Sequence, residues 1–299
     1  MSKSLLTLRS GSLELEFAPA IGGAISSFTW AADSGRAPIL RNSPDPLEKV
    51  LDSASFPLIP FVNRIRGGAF EFRGQEIRLA PNMPGDPSPL HGQGWLSPWR
   101  VESASDDEAV LLFDHEPGEW PWAYQGRQRL RLTGDSLCLE LACRNLSDQP
   151  MPCGLGIHPY FNCGPDTRIQ TFVDEVWTVD EDVLPVDRVL PAGRYDIGNS
   201  LVCGRDLDNG YGGWSGRALL TDPKWPFEIV LSSRQARFFQ LYSPAEGGLF
   251  VAEPVTHANA ALNEPDEAWP NLGIRVLMPG EEMALDSRIE VQPKDGTFG

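Results

Sequence analysis

The sequence predicts an all-β protein built as a large antiparallel β-sandwich. Three observations carry that reading. Short stretches alternate apolar and polar residues with a period of two. Turn formers are abundant and scattered: 29 glycines and 27 prolines in 299 residues. Long stretches with helical spacing are nearly absent.

The strands are read in order. Leu13, Leu15 and Phe17 alternate with Glu14 and Glu16. Ala69 to Leu79 reads as a hairpin around Arg73-Gly74-Gln75. Further strands are expected at Val110 to Phe113, Gln128 to Leu132, Leu137 to Ala142, Glu228 to Leu231, Phe238 to Tyr242 and Arg275 to Met278. Met283, Leu285, Ser287, Ile289 and Val291 share one side of a last alternating run. One short helical turn is expected over Ser43 to Val50, with Ser43 as cap and Pro44 at the first helical position. No repeat, low-complexity block or composition shift divides the chain, so residues 1–299 are expected to form one domain.

Composition narrows the function. Hydrophobic residues make up 41% of the chain, enough for a sizeable core. Formal charge is −16, with a sequence pI near 4.6. Such a surface repels phosphate backbones and anionic lipid, so neither nucleic acid nor a membrane is expected as a partner. Cys138, Cys143, Cys153, Cys163 and Cys203 are odd in number and include no Cys-x-x-Cys pair. Neither a disulfide framework nor a zinc site is expected, and reduced thiols in a cytoplasm are. The stretch Met1 to Arg9 has too short an apolar run for a signal peptide, and no stretch approaches a membrane span. A soluble, cytoplasmic protein is the expectation.

Five polar stretches stand out as candidate chemistry. His158 lies in Gly154-Leu-Gly-Ile-His-Pro-Tyr-Phe-Asn162, where Pro159 biases it toward extended backbone. A histidine fixed this way can present a ring nitrogen as proton donor or acceptor, or serve as a satisfied core residue. Asn63-Arg64-Ile65-Arg66 follows the apolar run Phe56 to Val62, and its planar donor fork suits a sugar hydroxyl or a carboxylate. His91 sits in the glycine-rich turn Pro89 to Trp95, where Trp95 and Trp99 either cover the apolar face of a polyhydroxy ring or pack beneath a buried turn. Asp208-Asn209-Gly210 is a good turn in its own right. Glu253 ends an apolar run that reads as a buried strand, where a carboxylate is costly unless paired or at a cleft mouth. His115, between Asp114 and Glu116, reads as a solvated turn residue. His257 follows Glu253 by four positions but in a proline-containing loop, so a metalloprotease pair is not supported.

Six stretches occur in the order seen in aldose 1-epimerases, or mutarotases: Asn63-Arg64-Ile65, Leu90-His91-Gly92, Pro152 to Phe161, Leu207-Asp208-Asn209, Glu253-Pro254 and Leu277-Met-Pro-Gly280. The chain resembles that family from about Leu13 to Val291. The resemblance implies a galactose mutarotase-like supersandwich with extra antiparallel sheet. It also implies His158 as general acid, Glu253 as general base, and Arg64, His91 and Asp208 as substrate-binding residues. Better-known galactose mutarotases carry Glu-Thr-Gln where this chain has Glu253-Pro-Val-Thr, which points to another branch.

The implied activity is interconversion of the α and β anomers of an aldohexose, without cofactor or metal, by a monomer or homodimer acting on a small sugar. One alternative is a charged sugar, a hexose 6-phosphate or a sulfonated hexose such as sulfoquinovose. Arg64 and Arg66 would then sit near C6, joined by Arg234, Arg237 or Arg275. A second is a non-catalytic sugar-binding protein, which has no need of a matched acid and base. A third is a carbohydrate-cleaving enzyme, which wants two carboxylates where only Glu253 is strong.

Overall fold

The computed structural model describes residues 5–32 and 35–294. The first four residues of the Met1 to Arg9 stretch lie outside them. Two large antiparallel sheets dominate, one of nine strands and one of eight, with a four-stranded sheet formed by Leu6–Ser10, Leu13–Ala18, Ala24–Ala32 and Gly35–Pro38. One apolar core joins them. It takes Leu130, Leu139, Leu141, Ile229 and Ile289 from the nine-stranded sheet and Ile157, Tyr211, Phe239, Leu241 and Phe250 from the eight-stranded one.

The alternating runs form strands where their period indicates. The hairpin closes as Ala69–Phe72 against Gln75–Arg78, and the final run becomes Glu282–Pro293 at the centre of the larger sheet. Its apolar positions 283, 285, 289 and 291 are buried, as the pattern requires.

Four expectations need correction. Ser43 to Val50 holds no helical turn: the Ser43 hydroxyl donates to the Ser26 carbonyl at 2.7 Å, so it serves a neighbouring strand instead of capping a helix, and only Val50–Asp52 coils. Asp208-Asn209-Gly210 is not a turn but part of the strand Leu207–Gly212, paired on both sides. His115 is half-buried, stacked on Tyr124 at 4.8 Å and bonded through Nε2 to the Trp120 carbonyl at 3.1 Å. Cys163 and Cys203 form a disulfide, their Cα atoms 5.7 Å apart, because the fold joins positions separated by 40 residues. Among the described residues, no helix is long and apolar enough to cross a membrane.

The eight-stranded sheet carries two of the candidate residues, Asp208 and Glu253, and cross-strand register explains how they meet. Asp208 lies opposite Tyr242, Tyr242 opposite Val251, and Val251 opposite Tyr160. One step along, Gly210 lies opposite Gln240, and Gln240 opposite Glu253. Side chains alternate across a strand, so these two rows share a face, while Leu207, Asn209, Tyr211, Phe239 and Leu241 point into the core. Residues 45 positions apart, Asp208 and Glu253, thus meet on one surface.

Candidate functional site

Loops build the rest of the site over that face. Isolated bridges join Ile59 to Gly92 and Arg64 to Leu90, clasping the Arg64 loop to the His91 loop. Three successive backbone N–H groups in the first loop donate to side chains. Val62 donates to His257 Nε2 at 2.9 Å, Asn63 to His91 Nδ1 at 3.1 Å, and Arg64 to Asn259 Oδ1 at 3.1 Å. Asn63 and His91 both hold left-handed backbone, with φ of 53° and 58°. Strained residues of this kind persist only where the surroundings over-determine them. Here the strain is held by reciprocal bonds, since the His91 N–H also donates to the Asn63 carbonyl at 3.0 Å.

These bonds fix the state of His91. Its Nδ1 accepts from Asn63, so a neutral ring carries its proton on Nε2 and acts as a donor there. Burial pushes its pKa well below the ordinary imidazole value, with the nearby His158 and Arg64 adding to the effect.

Arg64 is buried between two carboxylates. Its Nε donates to Asp86 Oδ2 at 2.8 Å, and its Nη1 stands 3.8 Å from Asp208 Oδ2. Asp208 Oδ1 accepts from Gln240 Nε2 at 2.6 Å, and Gln240 Oε1 accepts from Asn63 Nδ2 at 3.4 Å. Gly210 makes room for this network: a Cβ there would stand 3.2 Å from Gln240 Oε1. Burial raises the pKa of Asp208 against the opposing pull of Arg64.

His158 Nε2 lies 3.4 Å from Glu253 Oε1. The imidazole is held chiefly by rings: Phe56 stacks on it at 4.4 Å and 18°, Tyr160 tilts against it at 4.6 Å, and His91 meets it edge-on at 5.6 Å. His158 Nδ1 and Glu253 Oε2 are buried without a hydrogen-bond partner. Unsatisfied buried polar atoms are rare and call for a reason. Burial pushes the His158 pKa down to about 3 and raises that of Glu253 well above the usual carboxylate value, with Asp208 adding to the latter. Burial therefore disfavours the charged form of each group, and the pair without charges is a protonated carboxyl beside a neutral imidazole. Moving that proton across 3.4 Å yields carboxylate and imidazolium with the same total.

The structure thus brings together all five sequence-derived residues: Arg64, His91, His158, Asp208 and Glu253. Of the two readings of the tryptophans it bears out the buried turn. Trp95 and Trp99 are buried, with their N–H groups donating to carbonyls of the His91 loop, so they support that loop from beneath. Of the other arginines, Arg66 Nη1 stands 3.8 Å from Asp180. Arg234 pairs with Asp286 of the nine-stranded sheet at 3.5 Å. Arg237 and Arg275 line a separate cavity of about 500 Å³ with Asp266 and Trp269.

Sequence reasoning did not identify Asp86, Gln240, Asn259 or His257. Only loop closure and cross-strand register place them, and no local motif marks them. No cluster of three or more His, Cys, Asp or Glu suited to a metal occurs among the described residues.

Comparison with known proteins agrees in outline. The family model for aldose 1-epimerase matches residues 4–290. The uncharacterised protein YphB of Escherichia coli K12 is 32% identical over 303 residues, spanning 97% of this chain and 99% of that one. A crystal structure of a candidate aldose 1-epimerase from Escherichia coli K12 superposes with a TM-score of 0.88 at 30% identity, over 97% of this chain and 99% of the other. A galactose mutarotase-like protein from Clostridium acetobutylicum, at 19% identity and a TM-score of 0.83 over 97% and 95% of the two chains, shares the fold.

Proposed function

The chain belongs to the aldose 1-epimerase family, and we propose that it interconverts the α and β anomers of an aldohexose by acid–base ring opening and closure. The observation that carries this reading is the His158–Glu253 pair, 3.4 Å apart and otherwise unpartnered on both sides.

An aldopyranose changes anomer when its C1 hydroxyl loses a proton, its ring oxygen O5 gains one, and the C1–O5 bond breaks. In the sugar complex the pair starts as Glu253 carboxylate and His158 imidazolium. Glu253 takes the hydroxyl proton, His158 gives its proton to O5, and the open aldehyde forms. The pair ends as carboxylic acid and neutral imidazole, the arrangement that burial favours in the empty site. Rotation about C1–C2 turns the other carbonyl face toward the new hydroxyl. The same two groups then run in reverse, so no proton is gained or lost over the cycle. The Arg64 fork and the His91 Nε2–H donate to sugar hydroxyls, and Asp208 accepts from them. Held hydroxyls keep the open chain from drifting during the rotation.

A neutral sugar suits the site better than a phosphorylated or sulfonated one. Arg64 is already matched by Asp86 and Asp208, and Arg234, Arg237 and Arg275 face other surroundings. A matched acid and base also favours catalysis over simple binding.

Saturation-transfer NMR of anomer exchange tests the reading across glucose, galactose and their 6-phosphorylated and sulfonated counterparts. Exchange should be accelerated for a neutral hexose. Glu253→Gln or His158→Asn should each lower kcat by roughly 10²-fold or more. A near wild-type rate in either variant removes that residue from its role.

A further inference from the structure

Most general acids are oriented by a hydrogen bond on the ring nitrogen that does not react. His158 lacks one, since its Nδ1 is buried without a partner. Its orientation therefore depends on the rings around it, and on whatever fixes those rings.

Tyr160 packs against the imidazole at a 44° tilt and not as a flat stack, so the imidazole alone does not fix its ring plane. The opposing anchor is Arg41, whose guanidinium carbon lies 3.5 Å over the Tyr160 ring. Arg41 is itself tied down. Its Nε donates to the Ser53 carbonyl at 2.7 Å and its Nη2 to the Leu51 carbonyl. Its backbone N–H donates to the Tyr160 carbonyl at 2.9 Å, and the Tyr160 N–H donates to the Ala54 carbonyl at 2.9 Å. Among the described residues no carboxylate lies within ion-pair distance of this guanidinium, in contrast to Arg64.

We propose that Arg41 is a positioning residue for His158, pinning the Tyr160 ring against the imidazole and holding a permanent positive charge beside it. The kinetic half of this inference rests on the epimerase reading. The electrostatic half does not.

The sign of the charge effect is fixed. A cation beside a protonatable group favours loss of its proton, so Arg41 makes the acid stronger. The structure agrees in direction: Arg41 adds to the burial that lowers the His158 pKa. The other titratable groups facing His158 are Glu253 at 3.4 Å, His91 edge-on at 5.6 Å, and Tyr160. Tyr160 does not compete, because its own pKa is pushed far above neutrality by burial. The two ring spacings place the guanidinium no more than about 8 Å from the imidazole. At an effective dielectric of about 20, a unit charge at that distance shifts a titration by on the order of one pH unit.

The test compares Arg41→Met, which removes the charge, with Arg41→Lys, which keeps it without the planar stack. Two readouts are taken. Ring ¹⁵N shifts of His158 in the sugar-free protein report the one-proton titration of the His158–Glu253 pair. Anomer exchange reports kcat, KM and the alkaline limb of the pH profile. In Arg41→Met the titration and the alkaline limb should move up by about one unit, and kcat should fall about tenfold with KM within twofold. Arg41→Lys should leave the titration near its wild-type position while kcat drops by a smaller factor. Arg41→Gln carries the same expectation as the methionine variant should that one not fold. A titration and kcat both unchanged in Arg41→Met or Arg41→Gln would overturn the proposal, as would a lowered melting temperature with neither quantity moved. If wild-type protein accelerates exchange of no aldose, the epimerase reading fails, yet the ring titration still decides the role of Arg41.

Discussion

Gly154→Ala isolates one steric contact that the site depends on. Gly154 has no positive φ, so alanine meets no backbone penalty there. The new Cβ would instead lie 1.9 Å from His257 Cδ2 and 2.6 Å from its Nε2. His257 is 1% exposed and bonded at both nitrogens, donating from Nδ1 to the Ala258 carbonyl at 2.7 Å and accepting at Nε2 from Val62. It has no free direction in which to swing. Overpacking of a filled core costs about 1–3 kcal/mol. Displacing the ring also strands the buried Val62 N–H, which costs about 1–3 kcal/mol more. The expected loss is therefore about 4 kcal/mol, or roughly 6 °C in melting temperature for a chain of 299 residues. Because Val62 leads directly into Asn63 and Arg64, kcat/KM should fall as well. Guanidinium melts of both proteins give the energy, and a cycle with His257→Ala gives the cause. With the ring truncated, the same glycine substitution should cost less than about 1 kcal/mol. A wild-type-like melt for Gly154→Ala, or an equal cost in both backgrounds, would refute the steric account.

Other outcomes follow from the same geometry. Arg64→Ala should raise KM for the sugar well before it lowers kcat, as expected for a binding group, and equal falls in kcat and kcat/KM would place Arg64 in the chemical step instead. The folded-state pKa of Glu253 is raised, so the stability it contributes is complete below the unfolded carboxylate value and lost as pH rises through the folded one. Glu253→Gln should therefore gain stability over wild type from pH 4 to pH 8 in paired melts, and a constant difference would contradict the raised pKa. His257 is depressed from 6.5 to about 4, so the stability it contributes is present above 6.5 and lost as pH falls through 4. Acid should remove about 3 kcal/mol in that window from this ring alone, and His257→Gln should flatten the loss. Reducing the Cys163–Cys203 disulfide, which closes 40 residues, should cost up to about 4 kcal/mol in a melt with and without reductant.

The strands expected from sequence were legible because each shows its period locally, as the run Met283 to Val291 does. The five site residues were legible one motif at a time, but their meaning was not. Asp208-Asn209-Gly210 carries the composition of a turn, yet it forms a strand because that face of the sheet borders the site and not the core. Gly210 is there to leave space for Gln240, and Asp208 to face Arg64. Trp95 and Trp99 stayed open between two readings for the opposite reason. Beside a histidine in a glycine-rich loop they read as a sugar platform, whereas their ring N–H groups are consumed by the carbonyls of Leu90, Gly92 and Gly94. Asp86, Gln240 and Arg41 had no local signal, since each acts through partners more than ten residues away.

The burial of the acid–base pair also has an energetic logic. A carboxylate and an imidazolium buried without other partners would be costly as separate charges. With one proton shared between them the two groups carry no charge, the arrangement that burial favours at His158 and Glu253, while Arg64 stays matched by Asp86 and Asp208. The charged arrangement becomes favourable only when hydroxyl groups lie between the two residues and supply hydrogen bonds to His158 Nε2 and to Glu253, whose Oε2 has none in the empty site. Under the proposed function, sugar binding and proton redistribution would be one event. On this account a variant that gives Glu253 Oε2 a permanent hydrogen-bond donor should hold the carboxylate charged in the empty site, and slow ring closure more than it weakens binding.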